Sequence, residues 1–126
     1  MKIGQVADLA AVSVDTVRFY ERRGVLPVPE RTASGYRTYT AATVERIRLA
    51  RRLQQLGFTL DEVIDALHAT DRGGITCQSE RWRLESVLDR IDTKIAELKT
   101  ARRQVQDVLS ACDNRTCLFA PEHAAP

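Results

Sequence analysis

Between Gly74 and Asp113 the chain has neither Pro nor Gly, so nothing breaks a long helix there. Within that stretch Leu84, Leu88, Ile91, Ile95, Leu98, Val105 and Leu109 recur at alternating steps of four and three, with Arg102 at the one polar position. A seven-residue repeat of this kind makes a coiled coil, not the short apolar stripe of a globular helix. The seam continues forward to Cys112 and backward through Arg81 to Cys77, five heptads apart. A helix from about Glu80 to Cys112 is roughly 50 Å long at ~1.5 Å per residue, so Cys77 and Cys112 of one chain never meet. Two antiparallel copies bring the start of one seam to the end of the other. The spacing therefore predicts a symmetric homodimer with two inter-chain thiolate sites, Cys77 of one protomer meeting Cys112 and Cys117 of the other. A plain dimerisation coil with cysteines as small buried apolar residues also accounts for the seam. The convergence of all three cysteines on one place favours the thiolate site.

The 126 residues suffice for one small domain with an appendage. No apolar run approaches a membrane span, and the start MKIGQVADLA lacks a basic-then-apolar signal pattern. A cytoplasmic protein without membrane attachment is expected, and three cysteines there argue against a disulfide framework. The net charge of +2 conceals an asymmetry: residues 1–58 carry 10 Lys/Arg against 5 Asp/Glu, and residues 59–126 carry 9 against 12. A basic first half points to a polyanion, most simply nucleic acid.

Residues 3–11 read as a short helix with Ile3, Val6, Leu9 and Ala10 on one face. Ser13 is an N-cap for a second helix, about Val14 to Arg23, with Val14, Val17 and Tyr20 inward and Gly24 as its C-terminal stop. The pair forms a helix-turn-helix whose outer face carries Asp15, Thr16, Arg18, Phe19, Arg22 and Arg23. Pro27, Pro29 and the turn at Ser34-Gly35 predict an extended wing over Val28 to Thr40, tipped by Arg31, Tyr36 and Arg37, with Tyr39 packing on the hairpin. Thr40 caps a third helix, Ala41 to Leu56, stopped by Gly57 and carrying Arg46, Arg48, Arg51 and Arg52. Thr59 and Glu62 form a capping box for a fourth, Leu60 to His68, followed by a flexible link over Asp71 to Gly74. Trp82 is expected to pack where the coil meets the fourth helix or the partner's DNA-binding domain. Asp113 to Thr116 reads as a loop that Leu118 and Phe119 anchor, and His123 is a possible fourth ligand. The expected domains are residues 1–72, winged helix-turn-helix with connecting helices; 73–112, dimerisation helix; and 113–126, metal-binding loop and tail.

The runs IGQVADLAAVSVDTVRFYERRGVL, RTASGYRTYT and LDEVIDAL resemble the MerR family of transcription regulators across essentially the whole chain. The Arg18 to Glu21 run together with Gly35 to Tyr39 is a more specific signature than a bare helix-turn-helix. The resemblance implies a mainly α fold: a winged helix-turn-helix, a long antiparallel dimerisation helix and a short C-terminal metal-binding loop. It implies a dimer on a palindromic operator in double-stranded promoter DNA, which bends and untwists the DNA on effector binding so that RNA polymerase can engage both promoter elements. It carries over Arg18, Tyr20, Arg31, Tyr36 and Arg37 as DNA contacts and Thr16 as a base-reading position.

For the effector, the resemblance matches Cys112 and Cys117 to the paired cysteines of the metal-sensing branch. Sensors of Cu(I), Ag(I) or Au(I) typically have Ser at the place of Cys77, whereas divalent sensors have Cys. Three thiolates from two chains suit a soft ion content with three sulfurs, which ranks Hg(II) first, then Cd(II) or Pb(II). Zn(II) usually takes a fourth ligand. The chain departs from the mercury and copper sensors in its short spacing, four residues between Cys112 and Cys117, and in lacking a Pro after the last cysteine. A monovalent-metal sensor and a thiol redox switch, with cysteines near Arg81 or Arg115, are the alternatives. No nucleophile–histidine arrangement, phosphate-binding glycine loop or paired carboxylates suggest an enzyme.

Overall fold

The structure is a computed structural model that describes residues 1–116 together with Leu118 and Phe119. Its elements in chain order are helices α1 (Ile3–Ala10) and α2 (Val14–Arg23), strands β1 (Glu30–Arg31) and β2 (Arg37–Thr38), then α3 (Ala41–Gln55), α4 (Leu60–Arg72) and α5 (Cys77–Asp113). The fold is thus mainly α, with a two-stranded wing. Two compact units result, Met1–Arg83 and the remainder from Leu84 on.

Local chemistry sets most boundaries. Ser13 Oγ accepts the Thr16 N–H at 3.0 Å, opening α2, and Gly24 closes it at φ 85°, where a side chain would be strained. Thr59 and Glu62 cap α4 reciprocally: the Thr59 N–H donates to Glu62 Oε1 at 2.8 Å and the Glu62 N–H to Thr59 Oγ1 at 3.2 Å. In the first unit α1 packs on α2 and α3, and α3 on α4. Val6, Val17, Val25, Ile47, Val63 and Leu67 form the fully buried centre. Strands β1 and β2 pair antiparallel, Glu30 opposite Thr38 and Arg31 opposite Arg37.

Several expectations need correction. The inward face of α1 is Val6, Ala7 and Ala10, while Leu9 is exposed. Thr40 precedes α3 but its hydroxyl makes no cap bond; its carbonyl instead accepts the Thr43 N–H at 3.0 Å. Helix α4 runs four residues past His68 to Arg72. There Arg46 grips Asp71 with both terminal nitrogens, at 2.7 and 2.9 Å, while its Nε donates to the Val25 carbonyl at 2.6 Å. Asp71 and Arg72 are therefore helix, not flexible link. Helix α5 starts at Cys77, three residues early, because Thr76 and Ser79 cap each other's backbone N–H groups at 2.9 Å. Trp82, expected against α4 or the partner's DNA-binding domain, is 56 % exposed in the single chain and stacks against the Arg83 guanidinium, 4.5 Å from the ring centre. The link to α4 is Arg83 itself, which donates to Asp65 at 2.5 Å and to Glu80 at 3.2 Å.

In the second unit every large seam residue from Leu84 to Leu109 is exposed in the single chain. Among the described residues no helix is long and apolar enough to cross a membrane.

Candidate nucleic-acid interface and thiol pair

Helix α2 and the wing flank one groove, lined by Lys2, Arg18, Arg22, Arg31, Arg37 and Tyr36. Five cations around one concave surface suit a polyphosphate backbone, because each Lys or Arg can neutralise a phosphate. Arg18 lies 4.0 Å from Asp15, and both are well exposed. Arg31 Nη1 donates to the Gly35 carbonyl at 2.8 Å and so braces the wing tip, where Gly35 takes φ 87°. Tyr36 is 73 % exposed at that tip.

Two residues expected at the DNA are placed differently from the rest. Tyr20 is buried, its hydroxyl donating to Gln54 Oε1 at 2.6 Å; burial raises its phenol above the ordinary range, and the Arg51 charge opposes. Thr16 is half-buried, with its hydroxyl 2.9 Å from Ser13 Oγ as part of the helix cap. Arg23 is turned to α4, where it pairs with Asp61 at 2.7 Å.

The signature glutamate carries a role that no spacing in the sequence signals. Glu21 sits on α2 inside the cationic groove, its side chain only 10 % exposed. Its Oε2 accepts from Arg37 Nη1 at 2.8 Å and its Oε1 accepts from the Tyr39 hydroxyl. Tyr39 is buried as expected; burial first, then the hydrogen bond and charge of Glu21, raise its phenol. Arg22, on the outer face of α2, and Lys2 line the same groove; only folding brings Lys2, ahead of α1, beside the wing.

Cys77 is the first residue of α5 and Cys112 the last but one, and both are exposed. Beyond Cys112 the helix closes through the Arg115 N–H to the Cys112 carbonyl at 3.0 Å and the Thr116 N–H to the Ala111 carbonyl at 2.7 Å, with Arg115 left-handed at φ 65°. This is a Schellman closure, which turns the chain back at the helix end. Cys117 and His123 lie outside the described residues. Leu118 and Phe119, expected as anchors, are largely exposed. Among the described residues no group of three His, Cys, Asp or Glu side chains could hold a metal within one chain.

Two family models match: MerR HTH family regulatory protein over residues 1–70, and MerR, DNA binding, over residues 44–108. The chain belongs to the MerR family. Among its relatives is a mercuric resistance operon regulatory protein of Bacillus cereus, 39 % identical over 118 residues, or 94 % of this chain and 89 % of the relative. Among solved structures, the transcription regulator PbrR691 from Ralstonia metallidurans CH34, in complex with lead(II), superposes with a TM-score of 0.83 at 34 % identity, covering 92 % of this chain and 91 % of that one. MerR from Bacillus megaterium MB1, in complex with mercury(II), superposes with a TM-score of 0.69 at 34 % identity, covering 87 % and 85 %. MerR-family relatives such as these are transcription regulators, not enzymes.

Proposed function

We propose that this MerR-family chain is a homodimeric promoter switch, controlled by a thiophilic divalent metal ion held between protomers. The observation that carries the reading is the exposed seam of α5 with a cysteine at each end. A lone helix does not keep such a row of Leu and Ile in water when a second copy can cover it. Antiparallel pairing covers it and brings Cys77 of one protomer to Cys112 and Cys117 of the other, twice per dimer. The donor chemistry fits a soft ion: exposed thiols lose protons readily to a metal, and three thiolates match Hg(II), with Cd(II) and Pb(II) next and Zn(II) after them. Once bound, the ion supplies a bond between protomers that protonated thiols cannot make. The mercury and lead named in relatives support a thiophilic divalent ion as the effector.

On the DNA side, Arg18, Arg22, Arg31, Tyr36, Arg37 and Lys2 line the contact surface, with Thr16 and Tyr20 setting the pose of α2. Two copies read a palindromic operator and hold its backbone. Cys77 stands six residues before Arg83, whose pairing with Asp65 ties the start of α5 to α4, and α4 packs on α3. Tension at Cys77 thereby reaches the DNA-binding unit, where it favours a distorted promoter geometry that RNA polymerase can use.

The test is a competition titration of reduced protein with Hg(II), Cd(II), Pb(II), Zn(II) and Cu(I), followed by thiolate-to-metal absorption. One divalent ion per protomer, lost in Cys77→Ser and in Cys112→Ser but regained as one site per heterodimer when the two variants are mixed, about a quarter of the wild-type sites for random pairing, is the expected result. Mixed subunits that stay inert overturn the inter-chain site. Cu(I) binding that survives Cys77→Ser moves the protein to the monovalent sensors.

A further inference from the structure

We infer that Glu21 is the positioning residue of the DNA-reading surface, a carboxylate clamp that sets the wing against α2. The inference rests on the DNA-binding reading above and deepens it. A carboxylate among five cations of a phosphate-binding groove is at first sight misplaced, since it repels the ligand. Its surroundings explain it. Both oxygens are engaged, one by Arg37 on β2 and one by Tyr39 just beyond it, and the side chain is nearly sealed from water. Arg37 and Tyr39 are 16 and 18 residues from Glu21 along the chain, so the two bonds tie the wing to the recognition helix. The hairpin has only two paired positions, too few to hold an angle alone. A guanidinium has five N–H donors; Glu21 engages one Arg37 nitrogen, leaving others for phosphate. The clamp therefore aims Arg37 and fixes how far the wing stands from α2.

Simple charge counting and the clamp predict opposite signs for Glu21→Ala. Removing a carboxylate from the groove should tighten DNA binding if charge alone matters. Losing the clamp should weaken it, by roughly tenfold to a hundredfold, the range for hydrogen bonds to charged groups. The experiment measures binding of the intact dimer to a random-sequence duplex across a salt series, because backbone contacts do not depend on sequence. Glu21→Ala should also flatten the salt slope by about one phosphate contact per protomer. Glu21→Gln keeps the shape and an acceptor for Arg37, and should restore affinity to within a few-fold and the slope with it. Ile47→Val, a core change away from the groove, should leave the slope unchanged even where it lowers the melting temperature.

Equal or tighter binding by Glu21→Ala than by wild type overturns the inference. So does a Gln variant no better than Ala. Absence of wild-type binding to the duplex overturns the DNA-binding reading as well, so the two failures are told apart by the wild-type curve.

Discussion

Replacing Leu98 with Ala tests the dimer seam most directly. In the single chain Leu98 is 60 % exposed, so the protomer's own fold loses almost nothing when the side chain is cut back. Fully burying a leucine contributes about 1.5–3 kcal/mol, and three-fifths of that is roughly 1–2 kcal/mol. A two-fold dimer contains the position twice, which raises the loss to about 2–4 kcal/mol. At 1.4 kcal/mol per tenfold, the dimer dissociation constant should rise roughly 30- to 700-fold. Sedimentation equilibrium at several protein concentrations measures it, with far-ultraviolet circular dichroism confirming the helical content at concentrations where the variant still dimerises. An unchanged dissociation constant would refute the seam as the interface. A rise confined to a variant off the seam, such as Lys99→Ala, would place the contact on another face of α5.

Arg18→Ala should weaken operator binding by about 1–3 kcal/mol and relax specificity if it reads a base, or weaken all DNA equally with a shallower salt slope if it holds a phosphate; affinity unchanged on both DNAs would remove Arg18 from the interface. Acid should loosen the first unit. Hydrogen bonds from Arg83 and from Arg46 hold Asp65 and Asp71, respectively, below the ordinary carboxylate range. Both folded-state values lie below the unfolded ones, so the stabilisation is present at neutral pH and lost as pH falls through about 4 and below. Melting curves over that interval should decline less steeply in Asp65→Asn than in wild type, and identical slopes would show that the Arg83 pair does not contribute.

Where the sequence is read correctly, the signal is local. Ser13 before Val14, Thr59 three residues ahead of Glu62, and Gly24 after Arg23 are cap chemistry within one turn, and each appears in the structure where expected. The same logic names Arg18, Arg31, Tyr36 and Arg37, which do share one groove. Where it falls short, a distant partner decides. Tyr20 is inward as its place on α2 suggests, but the acceptor of its hydroxyl, Gln54, lies 34 residues away and has no local signal. Nothing near Arg46 predicts that it would hold Val25 and Asp71 and so lengthen α4.

The sequence alone therefore determines the helical character of the chain, the heptad seam and the placing of a cysteine at either end of it. Period and capping act between residues three to seven apart, and they survive being read in one dimension. The tertiary structure alone decides which charges remain available. Arg23 is taken by Asp61, Arg46 by Asp71, Arg83 by Asp65 and Glu21 by Arg37. Each of those pairs joins separate elements. An ion pair with hydrogen bonds depends on distance and direction in space, while the chain records only distance along itself.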